Sequence, residues 1–166
     1  KVISISIKDR GAVLPGGKSA DGVYWHDWES SPGYFVSSSF YMETLPNWVN
    51  KFNQLEKSDA YLNETWNTLY PIETYTLSRD KGSEFQLLWI SPKGNTLLTE
   101  FAITAIQEEK LGKDNYTDFL NISYSVPDVI GHTFGPQSVE MEDIYLRLDN
   151  EIATLLKALD TKIGKE

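Results

Sequence analysis

Two short strand-like segments, VISISI (2–7) and DFLNISYS (118–125), each run into a polar stretch punctuated by Gly and Pro. That repeated arrangement limits the fold more than any other feature. In 2–7, Ile3, Ile5 and Ile7 take one face and Val2, Ser4 and Ser6 the other, with Lys8 and Arg10 continuing the second row. The clearest helix, GNTLLTEFAITAIQEEKLG (94–112), precedes the second strand. Its Leu97, Leu98, Phe101, Ala102, Ala105 and Ile106 recur at helical spacing, with Asn95 or Thr96 to cap its start and Gly112 its end. A long amphipathic helix from about Val139 to Ile163 follows the second strand. Its stripe is Met141, Ile144, Tyr145, Leu148, Ile152, Leu155, Leu156 and Leu159, and Glu140, Glu142 and Asp143 suit the positive end of its dipole. Helix, strand, loop and long helix is the order of an α/β sheet with parallel strands. Two such strands cannot bury both faces alone, so further strands are expected outside this chain.

Between these elements, GVYWHDWESS (22–31) and YFVSSSFYM (34–42) read as aromatic-rich strands joined at Ser31-Pro32-Gly33 into a hairpin. LPNWVNKFNQLE (45–56) reads as a helix with Pro46 in its first turn. Over 57–93, DAYLNETWNTLY suits a helix, and FQLLWIS a strand or a buried apolar run. The five Trp are expected in the core, and His26 is read as a surface or packing residue.

Composition excludes several classes of function. With 166 residues, 40% of them hydrophobic, the chain is one domain's worth and can build a core. A net charge of −9 argues against nucleic acid and against anionic membranes. Without Cys there is neither a disulfide framework nor a thiolate metal site. No run approaches the roughly 20 apolar residues of a membrane span. Three N-x-S/T sequons, at Asn63, Asn115 and Asn121, are chance matches.

In open α/β sheets, ligands sit beyond the carboxyl ends of the strands, so the two polar stretches are candidates for one shared site. In the first, Lys8 and Arg10 stand i, i+2 in an extended segment. Both then point the same way, opposite Asp9, and form an anion clamp. The competing reading is a solvated strand end with Arg10 paired to a carboxylate. In the second, Asp128 and His132 stand four apart, on one side of a helical turn, and both are suitable zinc ligands. Gly131 and Gly135 would let the loop fold tightly around an ion. The competing reading makes Asp128 a turn cap and His132 a packing residue.

SISIKDRGAVLPGG, followed by YW and then YFVSSSFYMETLPNWVNKFN, resembles the alkaline phosphatase superfamily. The closest likeness is to its bacterial, periplasmic PafA-like phosphate monoesterases, which are related to nucleotide pyrophosphatases and type I phosphodiesterases. DFLNISYSVPDVIGHTFGPQSVEMEDIYLRLDNEI looks like the part of that family that carries one zinc site. The likeness spans nearly the whole chain and is weakest over about 57–92. It implies a partial parallel-sheet core (1–14 and 118–166) with an inserted α+β cap region (15–117). It also implies a covalent phospho-enzyme route in which a Thr or Ser nucleophile attacks a phosphoryl group held between two zinc ions. Asp128 and His132 match two ligands of one zinc, and Lys8 and Arg10 match the cations on the phosphoryl oxygens. The nucleophile and the remaining ligands have no counterpart here. The chain is therefore expected to be an internal fragment that is inactive alone and needs the remainder of its parent chain for a complete core. The implied substrate is a small-molecule phosphate ester, and the implied location is the periplasm. Two alternatives stand beside the monoesterase: a phosphodiesterase or nucleotide pyrophosphatase, and a non-catalytic binding or assembly domain of the same fold.

Overall fold

The computed structural model describes residues 1–29, 33–62, 64–69, 74–76 and 85–164. Strand β1 (Val2–Ser6) lies at the centre of a four-stranded sheet in the order β3-β2-β1-β6. It is parallel to β2 (Gly22–Asp27) on one side and to β6 (Phe119–Ser123) on the other. β3 (Tyr34–Val36) adds an antiparallel edge to β2. The architecture is α/β with a mainly parallel sheet, as expected. The alternation in VISIS does not separate core from solvent, because Ile3, Ser4, Ile5 and Ser6 are all buried. It separates large from small. Ile3 and Ile5 pack into the aromatic core, while Ser4 Oγ donates to the Ala12 carbonyl at 2.6 Å beneath the first helix.

That helix stands where the Gly- and Pro-punctuated stretch after 2–7 reads as a loop. Asp9–Gly16 forms α1, and Lys8 is its extended N-cap residue. Asp9 supplies a negative charge to the first turn, and Pro15 falls in the last. The glycines serve close approach here. A Cβ on Gly11 would overlap Ser6 Oγ, and one on Gly16 would come within 2.8 Å of Val23 Cγ2. Lys8 and Arg10 are therefore not neighbours on one extended row, since the chain turns helical directly after Lys8.

β2 and β3 pair antiparallel as the hairpin reading requires, but with shorter strands. Of the expected turn, Ser31 and Pro32 lie outside the described residues. Both strands belong to the stretch 15–117, yet they are hydrogen-bonded members of the main sheet. In α2 (Asn47–Asn53), Pro46 immediately precedes the first turn. The ambiguous stretch resolves into α3 (Lys57–Leu62), a small antiparallel pair of β4 (Thr65–Asn67) with β5 (Thr74–Thr76), and α4 (Gln86–Trp89). FQLLWIS is thus a short helix that buries Leu88, and Asn63 of the first sequon lies outside the described residues. α5 (Pro92–Glu108) starts earlier than its apolar periodicity suggests. Pro92 occupies the first turn after an extended Ser91, which leaves Asn95 buried within the helix instead of capping it.

VPDVIGHTFGP was also expected as a loop. Its residues Val126–Phe134 form α6, with Gly131 inside the helix and only Gly135 at its end, at φ +97°. α7 (Val139–Lys162) is capped by Ser138, whose Oγ accepts from the Met141 amide at 3.2 Å. Its apolar stripe is only partly covered: Ile144 is fully buried, while Tyr145, Ile152 and Leu156 are exposed. No helix among the described residues is long and apolar enough to cross a membrane.

The core is centred on Phe101 of α5. This ring stacks on Phe35 at 3.8 Å and meets Trp48, Phe52 and Tyr24 at 5.0–5.7 Å. Trp48 and Trp66 are buried as expected, whereas Trp25, Trp28 and Trp89 keep part of their surface in solvent.

The helical glycines yield contrasting expectations. Ser6 Oγ is held by the Ser123 carbonyl and the Lys8 amide, so Gly11→Ala has nowhere to displace it. In Gly94→Ala the new methyl would overlap the Leu88 carbonyl. Each should destabilise the protein by about 1–3 kcal/mol. At Gly131 the nearest atom is Met141 Sδ at 3.5 Å, so Gly131→Ala should be neutral or stabilise by roughly 0.5–1 kcal/mol. Thermal unfolding midpoints of the three variants test this ordering.

Candidate active site

Parallel pairing of β1 with β6 in the register Ser6↔Ser123 brings their carboxyl ends side by side. Each strand then feeds a helix whose first turn faces the other: β1 leads through Lys8 into α1, and β6 through Ser125 into α6. Lys8 Nζ reaches across this junction to Asp128 Oδ2 at 2.6 Å. The lysine side chain is 11% exposed and the aspartate side chain 59% exposed, so the ammonium is the anchored partner. The hydrogen bond and charge of Lys8 hold the Asp128 carboxyl below the usual carboxylate range, and His132 and Arg10 add to the effect. The other carboxylate oxygen, Oδ1, lies 3.5 Å from His132 Nε2, one helical turn on. Arg10 is exposed and makes no ion pair among the described residues, so the reading that paired it to a carboxylate gains no support.

Beneath these groups is a floor of hydroxyls that the sequence reading missed. Ser6 Oγ lies 3.2 Å from Ser125 Oγ, which lies 3.1 Å from Ser123 Oγ. A signal was present in the matched serine spacing of SIS and SYS at the ends of the two strands, but only the register makes them neighbours. Lys8, Arg10 and Asp128 line a depression over this floor of about 370 Å³. His132, one turn further along α6, does not line this depression, and its side chain is 83% exposed.

The donor set of Asp128 and His132, a carboxylate oxygen and an imidazole nitrogen on one helix face, fits one side of a zinc site. Among the described residues, no group of three or more His, Cys, Asp or Glu is placed to hold a metal.

A model described as type I phosphodiesterase / nucleotide pyrophosphatase matches residues 6–166. The chain belongs to that family, within the alkaline phosphatase superfamily. It is 46% identical over 189 residues to alkaline phosphatase PhoV of Synechococcus elongatus, an alignment that covers 99% of this chain and 34% of that protein. It is 36% identical over 190 residues to alkaline phosphatase PafA of Elizabethkingia meningoseptica, with the same coverage. The crystal structure of wild-type PafA matches with a TM-score of 0.87 at 36% identity, over 99% of this chain and 36% of that one. The chain thus spans about a third of the length of these relatives.

A second cavity, of about 290 Å³, adjoins Lys8 and Arg10 on the β2 side, and His26 forms part of its wall. The Trp89 indole N–H donates to His26 Nδ1 at 3.2 Å. An indole can only donate, so Nδ1 is the acceptor and Nε2 carries the proton. Nε2 is then the donor to Ser58 Oγ at 3.3 Å, and Ser58 donates to the Gly33 carbonyl at 2.6 Å. Burial pushes the His26 pKa down to about 4. Because this lies below the ordinary value, protonation favours the unfolded chain. The stability held by the neutral ring, about 3 kcal/mol, is complete above pH ~6.5 and is lost as pH falls toward ~4. In an NMR titration the His26 ring should stay neutral to about pH 4, and a midpoint near 6.5 would mean that it is not enclosed.

Proposed function

We propose that the intact protein is a zinc-dependent phosphatase that hydrolyses phosphate monoesters through a covalent phospho-enzyme, and that this chain carries its phosphoryl-binding cations and part of one metal site. The observation that carries the reading is the convergence of Lys8, Arg10 and Asp128 where the ends of β1 and β6 meet, with His132 one turn along. A lysine ammonium has three donors, of which Asp128 takes one. The other two remain for phosphoryl oxygens, on a head group already fixed in position. Arg10 would add a planar fork from the first turn of α1. Both cations would offset charge on the non-bridging oxygens of the transition state.

Asp128 and His132 would supply two ligands to one of two zinc ions, the rest of the sphere and the nucleophile coming from polypeptide outside this chain. When bound, zinc supplies Lewis acidity to the attacking and leaving oxygens. The phosphatase relatives support the reading. So does a solved PafA variant in which a lysine and an arginine two positions apart are both replaced by alanine, the spacing of Lys8 and Arg10. The substrate would be a small phosphate ester and the location the periplasm. The description of the matching family favours a diesterase as the second reading.

Monoester and diester substrates separate the two. A monoester dianion presents one more charged non-bridging oxygen than a diester. In the full-length protein, Lys8→Ala with Arg10→Ala should lower kcat/KM for monoesters by about 10²–10³, with a much smaller loss for diesters. An equal fall for both would remove the pair from the clamp and favour the diesterase. Metal content tests the other half of the site. Asp128→Ala and His132→Ala should each cost the full-length protein one zinc, and retention of two ions at unchanged affinity would place the ligands elsewhere.

A further inference from the structure

The depression over the hydroxyl floor holds more than cations. Ser123 and Ser125 line it together with Lys8, Arg10 and Asp128. Asp128 is the only carboxylate among its described lining residues, and Lys8 pairs with it at 2.6 Å. The three hydroxyls of the floor differ in what they still have to offer. Ser6 Oγ accepts from the Lys8 amide at 3.2 Å and donates to the Ser123 carbonyl at 3.1 Å, so toward Ser125 it can only accept. Ser125 is then the donor in their 3.2 Å contact, and its proton is used. Ser123 Oγ stands at the end of the row. Among the described residues its one partner is Ser125 Oγ, at 3.1 Å. A Cβ on Gly11 would come within 3.1 Å of it, so glycine leaves this hydroxyl open below the helical turn that carries Arg10.

Turning the Ser123 proton from Ser125 into the depression gives up one bond between neutral groups, and Ser125 stays bonded to Ser6. A hydroxyl bond to an anionic oxygen is roughly twice as strong as the one given up. We infer that Ser123 is a further catalytic residue, its hydroxyl donating to a non-bridging phosphoryl oxygen from the sheet side while Lys8 and Arg10 approach from the start of α1. This rests on the phosphatase reading above and adds to it an uncharged donor supplied by β6.

The test compares an aryl phosphate with the matching aryl phosphorothioate, in which sulfur replaces one non-bridging oxygen, on the full-length protein. Sulfur accepts a hydrogen bond poorly, and it should settle against the neutral hydroxyl, where less is lost than against Lys8 or Arg10. Ser123→Ala should therefore lower kcat/KM for the phosphate by about 10–10²-fold, and for the phosphorothioate by about threefold or less. Ser123→Cys keeps the side chain's size with a weaker donor. It should show the same pattern, and it takes the place of the alanine variant if that one does not fold. Equal losses on both esters would overturn the inference, since Ser123 would then only shape the floor. An unchanged kcat/KM on the phosphate would also overturn it, and in either case the phosphatase reading stands. No turnover of either ester by the unaltered protein would defeat both readings.

Discussion

The site depends on the close packing of α1 against β1. A parallel pair aligns strand ends but does not by itself bring side chains from different strands within bonding distance. The short side chains on one face of β1 and the glycines of α1 let the helix settle directly on the strand. Its first turn then lies over the end of the sheet, and Lys8 meets Asp128 across the β1–β6 junction. Ser6 is central to this, accepting from the Lys8 amide and donating to the Ser123 carbonyl. A larger residue there would lift α1 and part the lysine from its aspartate.

The aromatic core organises the other side of the sheet. Phe101 gathers Phe35, Phe52, Trp48 and Tyr24, and so fixes the β2–β3 hairpin against α5 and α2. His26 carries this order outward, because it is buried in the same layer and bonds to Trp89 at the cavity wall. Lys8, Arg10, Trp28 and Trp89 thus line one cavity beyond the ends of β1 and β2.

The outer face of the chain is less complete. Among the described residues β6 pairs with β1 alone, Phe119 at its start is exposed, and α7 leaves Tyr145, Ile152 and Leu156 in solvent. Parallel sheets are normally covered on both faces. The chain spans about a third of its curated relatives, and no third His, Cys, Asp or Glu among the described residues joins Asp128 and His132 in a metal-holding group.

From the sequence alone, the α/β class, the strands that became β1 and β6, and the long helices were legible. Apolar periodicity is local, and charged groups at strand ends stand out against it. The sequence also carried the family resemblance that the matching model bears out. Local patterns failed for KDRGAVLPG and VPDVIGHTF, whose glycines and prolines suggest loops while the chain is helical. In α1 those glycines answer to Ser6 and Val23, contacts between elements that no window along the chain contains. The same holds for β2, which read as part of a separate hairpin and became a partner of β1, and for the aligned serines of β1 and β6. Which residues could do chemistry was written in their side-chain types. Which of them meet was decided by strand register and helix approach, because those distances exist only after the sheet has formed.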